Sequence, residues 1–257
     1  MTTATDQTAF VSAFDEIMYK GFLGRFLEME GTQSGAAFLA LIIFGFLVIT
    51  ILPYLLGSCN FAIIISKLFY REDIRNFGSG NAGMTNMLRT YGKKAAALTL
   101  IADALKAVLS VLIGRVVFGI IGAYAAGLAC IIGHVFPLYY QFKGGKGVVT
   151  AITAILMTDW KVGLILLLIF VILVGFSKFI SLGSVMAAIM YPLILVRINT
   201  LERIPAPPIV MLFALAIAVL IVWMHRENIK RLLAGKENKL SFSKKDKKPV
   251  DGEGKQS

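Results

Sequence analysis

The sequence is poor in charged residues and in cysteine. Asp, Glu, Lys and Arg make up 16% of its 257 residues and 57% are hydrophobic, whereas soluble domains carry about 25% charged residues. The apolar residues form continuous runs, unlike the alternating pattern of a membrane β-barrel. Cys59 and Cys130 lie in or beside apolar segments without metal-like spacing, so we expect buried thiols and no disulfide. These shortages indicate an all-α, polytopic integral membrane protein.

Several motifs of catalysis and metal binding are also missing from the sequence. There is no Gly-x-Ser-x-Gly, no His-Glu-x-x-His and no carboxylate cluster suited to two metal ions, so we expect no metal and no cofactor. Residues 1–7 carry no basic cluster with an apolar run close behind, so we expect no cleavable signal peptide. The net charge of +11 lies mainly in the loop after the first span and in the tail. This distribution indicates membrane topology and argues against nucleic acid as a partner.

Apolar segments predict about seven transmembrane helices. They cover residues 36–56, 95–112, 117–138, 148–157, 162–176, 182–196 and 209–223. The segment 148–157 is short for a span, which needs roughly 20 residues, so it either crosses as a tilted helix or re-enters. If it crosses, 19 of the 26 Lys and Arg residues fall on one side and six on the other, with Lys106 inside a span. The positive-inside rule then places the N-terminus outside and the C-terminus in the cytoplasm.

These spans define a membrane-embedded domain, residues 36–237, between two extensions. In residues 1–35, apolar side chains recur at roughly helical spacing among charges. This pattern fits either an interfacial amphipathic helix or a partly ordered extension packed on the first span. Residues 238–257 form a Lys-rich tail that we expect to be solvated. A small polar break at residues 57–60 follows the first span and allows backbones to approach closely.

A glycine loop (residues 143–147) joins the third and fourth predicted spans. Its residues are Lys143, Gly144, Gly145, Lys146 and Gly147. Glycines can turn backbone N–H groups toward an anion, with Lys146 beside them. A Walker A loop would need Ser or Thr after the lysine, where Gly147 stands. The loop therefore predicts a phosphate site without nucleotide specificity, and a flexible loop with interfacial lysines is the alternative.

Two further polar clusters lie at span ends on the predicted cytoplasmic side. In residues 78–89, Arg89 can hold an anion, while Ser79, Asn81, Thr85 and Asn86 offer hydrogen-bonding groups. The same residues also fit turn and capping chemistry for the following helix. His225 and Asn228 lie three residues apart, on one helical face, in either a structural or a functional role. Asp103 and Lys106 share that spacing inside a span, which fits an ion pair bracing the core as well as a catalytic role.

Together, the three polar clusters resemble the bacterial membrane acyl-phosphate:glycerol-3-phosphate acyltransferase family, the PlsY type. The resemblance rests on residues 78–86, 133–147 and 225–235 and extends over about residues 57–237. It implies a seven-helix protein of the bacterial cytoplasmic (inner) membrane whose site faces the cytoplasm. The implied substrates are acyl phosphate and glycerol 3-phosphate, and the products are lysophosphatidic acid and inorganic phosphate. The family also implies functional links to the soluble enzyme that makes acyl phosphate and to the next acyltransferase.

The resemblance assigns roles to particular residues. Ser79, Arg89, Lys146 and His225 are expected to carry catalysis, and Ser184 and Asn228 to recognise glycerol phosphate with His225. The other expected substrate-binding residues are Asn81, Thr85, Asn86, His134, Lys143, Gly144, Gly145 and Gly147. The chain departs from the common family pattern at Ala82, Met84, Lys178, Phe179 and Met224, and these departures leave the polar groups intact.

The expected mechanism is direct attack of the glycerol hydroxyl on the acyl carbonyl, without an acyl-enzyme. Either His225 or the substrate's own phosphate would take the proton. Two other classes stay open on the sequence alone. Interrupted spans and basic clusters also suit a transporter of a small organic phosphate, and the basic tail suits a scaffold that binds anionic lipid.

Overall fold

The computed structural model describes residues 20–23, 25, 35–203 and 207–240. These residues form helices and connecting turns and contain no strand, which confirms the predicted all-α fold. Their α-helices are α1 (Gly35–Ser58), α2 (Phe61–Tyr70), α3 (Met84–Tyr91), α4 (Lys93–Val135), α5 (Val148–Thr158), α6 (Trp160–Ser177), α7 (Ile180–Glu202), α8 (Pro208–Met224) and α9 (Arg226–Leu233).

Several of these helices have the length and the surface of membrane spans. Four helical stretches of the described residues are long and apolar enough to cross a membrane, and the bent pair of α8 and α9 makes a fifth if it counts as one span. Large apolar side chains such as Phe44, Ile101 and Val219 are more than 60% exposed, as expected for a surface in contact with lipid. The chain is therefore a polytopic membrane protein. The count of seven crossings and the placement of the termini stay predictions.

Helix α4 contains two of the predicted spans, joined by a reversal. Phe118 and Gly119 depart from helical backbone angles, and Gly119 has a φ of 59°, which glycine adopts without strain. The chain folds back on itself here, because Gly114 packs directly against the backbone of Gly122. The two halves of α4 therefore form an antiparallel hairpin, as the separate spans 95–112 and 117–138 predicted.

Close backbone contact joins α1 to the second half of α4. The predicted small polar break separates α1 from α2. A side chain at Gly57 would collide with the carbonyl of Cys130, and one at Gly133 would collide with that of Tyr54. Small residues therefore let the two helices touch along their backbones. Both cysteines are free thiols; Cys130 is buried as predicted, whereas Cys59, at the break between α1 and α2, is only partly buried.

The helix bundle has two ends, and the polar clusters lie at one of them. At this end, which we call the site end, α4 ends, α5 and α7 begin, and α8 ends. At the opposite end, Asp159 accepts a hydrogen bond from Tyr124, and Lys161 pairs with Glu202. Helix α5 thus connects the two ends of the bundle in only 11 residues. Whether residues 148–157 cross the membrane fully stays a prediction.

Two hydrophobic clusters fill the bundle. The larger one lies between α4, α5, α6, α7 and α8, and the smaller one joins α2 and α3 to the start of α4. Residues 20–23 are helical, and the backbone at Gly21 lies against the α4 reversal at Phe118. The rest of the predicted amphipathic helix and most of the predicted tail lie outside the described residues.

Candidate active site

A cavity of about 780 Å³ opens at the site end of the bundle, between the three polar clusters. Eleven of the 14 predicted site residues line it: Ser79, Asn81, Thr85, Asn86, Arg89, His134, Lys146, Gly147, Ser184, His225 and Asn228. The other three, Lys143, Gly144 and Gly145, do not line it. The fold thus brings together groups that are up to about 150 residues apart in sequence.

The first two glycines of the glycine loop serve packing and do not face the cavity. The N–H of Gly144 donates to the carbonyl of Val135, and the N–H of Gly145 donates to that of His134, each at 3.1 Å. A Cβ on Gly145 would collide with the His134 ring. Lys143 is exposed to solvent. The predicted nest of glycine amides is therefore not formed by Gly144 and Gly145, and we do not place Lys143 in the binding machinery.

Lys146 and Gly147 form the part of the loop that faces the cavity. Gly147 caps the N-terminus of α5 with a φ of 76°, so the first turn of that helix adds unpaired N–H groups and a positive dipole end. The Lys146 ammonium donates to Oδ1 of Asn228. Burial lowers the pKa of Lys146 to about 8; repulsion from Arg231 and Arg89 adds to the shift and Glu237 opposes it. A bound anion would offset both the cost of the buried charge and the repulsion between the cations, so this point is suited to a phosphate.

The first polar segment is more ordered than its sequence suggests. The polar segment 67–94, which includes the predicted cluster at residues 78–89, contains the end of α2, a 3-10 turn at Ile74–Asn76 and the whole of α3. Helix α3 presents Thr85 and Arg89, one turn apart, to the cavity. The Arg89 guanidinium lies 3.5 Å from the carbonyl of Asn238. Arg89 therefore reaches across to the chain that follows α9.

Asn86 supports the loop before α3. Its side chain is 1% exposed, and its Oδ1 accepts from the N–H of Ser79 at 3.0 Å. Its Nδ2 donates to the carbonyls of Phe77 at 2.9 Å and of Asn81 at 3.0 Å. Because these bonds occupy both ends of the amide, Asn86 positions Ser79 and Asn81 and is not free to hold a substrate.

His225 and Asn228 meet the cavity from the end of α8 and from α9. The His225 ring is 3% exposed, and its Nδ1 lies 2.8 Å from the carbonyl of Ile221. Asn228 accepts from Lys146 and donates to Glu237 at 2.7 Å. His225 lies at the 58° bend between α8 and α9, so the two residues do not share one helical face as predicted, but both line the site. On the neighbouring α7, the Ser184 hydroxyl lines the cavity and donates to its own helix at 2.9 Å.

Glu237 is a site residue that the sequence analysis did not single out. Its carboxylate accepts hydrogen bonds from Ser181 at 2.9 Å, Asn228 at 2.7 Å and Arg231 at 2.8 Å. Burial alone would raise the pKa of Glu237, but the hydrogen bonds from Asn228, Arg231 and Ser181 hold it below its usual value. The signal in the sequence that could have found it is Arg231, one helical turn after Asn228, because a cation beside a polar cluster commonly pairs with a nearby carboxylate.

The cavity continues from these polar groups into an apolar limb between α5, α6, α7 and α8. Its lining residues include Ala151, Ile152, Ile155, Leu166, Leu167, Phe170, Ala187, Ala188, Tyr191, Ile217 and Ile221. On α7 the lining extends from Ser184 to Tyr191, a distance of about 10 Å at the rise of an α-helix. One cavity thus joins a cationic polar chamber (Ser79, Arg89, Lys146, His225 and Asn228) to this apolar limb.

Comparison with known proteins identifies the family. A family model described as glycerol-3-phosphate acyltransferase matches residues 47–235. The glycerol-3-phosphate acyltransferase of Thermoanaerobacter pseudethanolicus is 42% identical over 191 residues, which cover 74% of this chain and 93% of the relative. That of Finegoldia magna is 40% identical over 197 residues, covering 76% and 96%.

A solved structure agrees with these sequence relatives. The crystal structure of PlsY (YgiH), an integral membrane glycerol 3-phosphate acyltransferase, in its glycerol 3-phosphate form matches with a TM-score of 0.69 and 37% identity. The match covers 76% of this chain and 96% of that one. The family that the three polar clusters predicted is therefore confirmed: this chain belongs to the glycerol-3-phosphate acyltransferase family.

Proposed function

We propose that this acyltransferase moves a fatty acyl group from acyl phosphate to the 1-hydroxyl of glycerol 3-phosphate, giving lysophosphatidic acid and inorganic phosphate. The observation that carries the proposal is the continuity of the cationic polar chamber with the apolar limb. Both substrates have a phosphate, and the donor also has an alkyl chain. Related PlsY structures in glycerol 3-phosphate and lysophosphatidic acid forms support this choice of acceptor and product.

The polar chamber has groups for both phosphates. Lys146, with the N-terminus of α5, would hold the phosphoryl group of the donor and stabilise it as it leaves. Arg89 would hold the phosphate of glycerol 3-phosphate, His225 would lie beside the 1-hydroxyl of the acceptor, and Ser79 would face the acyl carbonyl. The hydroxyl oxygen then forms a bond to the acyl carbon, and the bond from that carbon to the phosphate oxygen breaks. The phosphate leaves with the electron pair, and either His225 or a phosphate oxygen receives the hydroxyl proton.

Direct transfer fits the way in which two of the three cavity serines, Ser181 and Ser184, are engaged. The Ser184 hydroxyl donates to the carbonyl of Ile180 at 2.9 Å. The Ser181 hydroxyl donates to Glu237, whose lowered pKa makes it a weak base. An acyl phosphate is an activated anhydride and needs no enzyme nucleophile to make its carbonyl reactive. The acceptor hydroxyl, held beside it, gains the advantage of proximity.

The donor and acceptor are tested with purified protein in detergent. Acyl phosphate with labelled glycerol 3-phosphate is expected to give labelled lysophosphatidic acid without any ion gradient, and acyl-CoA at equal concentration is expected to give much less. Formation of product from acyl-CoA alone would overturn the choice of donor. Gradient-driven uptake of glycerol phosphate into proteoliposomes, without product, would indicate the transporter instead.

Direct transfer is tested by the mass of the intact protein. After rapid mixing with acyl phosphate alone, the protein is expected to keep its unmodified mass and to release inorganic phosphate only when glycerol 3-phosphate is added. A mass increase equal to one acyl group, removed again by glycerol 3-phosphate, would show an acyl-enzyme and contradict the mechanism.

We further propose that residues 36–237 form the catalytic membrane domain and that its site faces the cytoplasm of the inner membrane. The excess of basic residues at the site end supports this orientation. A Lys143→Cys variant places a thiol on the exposed part of the glycine loop. It is expected to react with a membrane-impermeant maleimide in inverted vesicles and not in intact spheroplasts, and the opposite pattern would reverse the orientation. A site on this side could also receive acyl phosphate from a soluble enzyme.

A further inference from the structure

A buried group of three ionisable side chains lies beside the cavity, and the mechanism above uses none of them. Asp103, Lys106 and His134 all belong to the α4 hairpin and are 2–4% exposed. Lys106 Nζ lies 2.8 Å from Asp103 Oδ1 and 3.0 Å from His134 Nδ1. The Asp103–Lys106 ion pair, one of the two roles predicted from their spacing, is therefore present. His134, in contrast to Lys106, also lines the cavity.

The atoms around the Lys106 ammonium show which groups accept its hydrogen bonds. Besides Asp103 and His134, its Nζ is 3.0 Å from the carbonyl of Gly57 and 2.8 Å from that of Cys59. An ammonium has three N–H donors and no lone pair. Its three hydrogen-bond partners are the two carbonyl oxygens and His134 Nδ1, while Asp103 Oδ1 lies at ion-pair distance without a hydrogen bond. His134 Nδ1, at 3.0 Å from it, must therefore be the acceptor.

The proton of a neutral His134 ring is consequently on Nε2. The other oxygen close to the ring, Asp103 Oδ1, is 3.6 Å from Nδ1, which is too long for a hydrogen bond that would favour the opposite tautomer. The Nε2 edge of the ring faces Gly145 of the glycine loop. Because His134 lines the cavity although Gly145 does not, this N–H can donate to a group bound there.

His225 shows the opposite arrangement. Its Nδ1 lies 2.8 Å from the carbonyl of Ile221, and a carbonyl can only accept, so Nδ1 carries the proton and Nε2 has the lone pair. Both rings line the same cavity. One histidine therefore offers a donor and the other an acceptor.

We propose that the Asp103–Lys106 pair is a positioning device that holds His134 with its proton on Nε2, so that His134 donates a hydrogen bond to a phosphate oxygen of the bound substrate. The identity of that substrate rests on the proposed function. Lys106 does not line the cavity and acts only through His134, whereas Asp103 also borders the cavity and holds Lys106 in place. The same contacts of Lys106 join α1, through Gly57 and Cys59, to the wall of the site.

The tautomers can be observed directly because the chain has only two histidines. Wild-type protein labelled with ¹⁵N-histidine in detergent is expected to show one ring protonated at Nε2 and one protonated at Nδ1. A His225→Gln variant assigns the first ring to His134. Protonation of His134 at Nδ1, or at both nitrogens, near neutral pH would overturn the proposal. This measurement needs no variant at Lys106 and does not depend on the folding of one.

Two amide substitutions separate the donor from the packing of the ring. In His134→Gln the amide nitrogen can take the place of Nε2, whereas in His134→Asn the amide lies near Nδ1 and no donor reaches the cavity. The Gln variant is expected to keep kcat/KM within several-fold of wild type. The Asn variant is expected to lose about 10- to 100-fold, the range for one hydrogen bond to a charged group. Equal loss in both variants would show that the ring only packs.

The outcomes distinguish this proposal from the proposed function. If wild-type protein made no lysophosphatidic acid, the assigned reaction would fail, but the NMR spectrum would still report the tautomers. Titration with inorganic phosphate would then test the donor, with an expected shift of the His134 Nε2 resonance and a smaller shift in His134→Gln at the replaced amide. A normal reaction with the wrong His134 tautomer would overturn the positioning role alone.

Discussion

At the scale of single residues, the lowered pKa of Lys146 has the clearest functional consequence. This lysine is half-buried, with two arginines near it and one carboxylate to balance them, and its pKa is lowered to about 8. Its cationic form binds phosphate, and that form is lost as the pH rises through the pKa. The lysine is therefore mainly charged at neutral pH but loses its charge within the range that enzyme assays can reach.

This shift predicts the alkaline limb of the pH profile. kcat/KM with glycerol 3-phosphate and acyl phosphate is expected to fall about tenfold per pH unit above about pH 8, because it reports the free enzyme. Measurements between pH 7 and pH 10 keep the substrate phosphate dianionic, since its second pKa is about 6. In Lys146→Arg the positive charge persists, so the alkaline fall in kcat/KM is expected to move to higher pH, with activity reduced overall. If the alkaline fall in kcat/KM occurred at the same pH in Lys146→Arg, the titration of another group would cause it.

Glu237 is expected to act by positioning other side chains of the site. It ties Ser181 on α7 to Asn228 and Arg231 on α9, and Asn228 in turn holds Lys146. Glu237→Gln keeps the shape and loses the charge that offsets Arg231. This variant is expected to raise KM for glycerol 3-phosphate about tenfold with a smaller change in kcat, measured by steady-state assay. A large fall in kcat with unchanged KM would contradict a positioning role.

At the scale of helices, close packing of α1 on α4 depends on residues without side chains. Gly133→Ala places a methyl group against the Tyr54 carbonyl, and overpacking of this kind costs about 1–3 kcal/mol. We therefore expect a lower unfolding temperature in detergent. Gly175→Ala on α6 is the matched control, since nothing lies within 4 Å of its added Cβ. The control is expected to be neutral or stabilised by up to about 1 kcal/mol, and equal effects at both glycines would contradict this account of the interface.

The apolar limb leads to a prediction about the acyl chain. Ala188→Phe on α7 would fill the limb near Tyr191, so kcat/KM for long acyl phosphates is expected to fall while short chains are still accepted. Each methylene excluded is expected to cost up to about 0.8 kcal/mol, or about fourfold. Leu193→Phe, at a position 59% exposed on the same helix, is the control. A uniform loss at all chain lengths would mean that the chain does not lie in the limb.

At the scale of the whole molecule, sequence reasoning succeeded where lipid imposes the pattern. The apolar runs predicted the helices, the small residues around Gly57 predicted close helix contact, and the nearness of His225 and Asn228 in sequence brought both to the cavity. Sequence reasoning was incomplete where function depends on which helices meet. The carbonyl that accepts from the Gly144 N–H lies nine residues earlier. The side chains that donate to the Glu237 carboxylate come from two helices. No local pattern contains such contacts.

The central claim is that one cavity, with Lys146 as its phosphate-binding cation, carries out the transfer. The direct measurement is the turnover of purified Lys146→Ala beside Lys143→Ala, with acyl phosphate and glycerol 3-phosphate. Lys143 is an exposed lysine of the same loop and does not line the cavity. We predict a loss of at least about 100-fold in kcat/KM for Lys146→Ala and near wild-type turnover for Lys143→Ala. Near wild-type turnover in Lys146→Ala, or equal losses in both variants, would contradict the account.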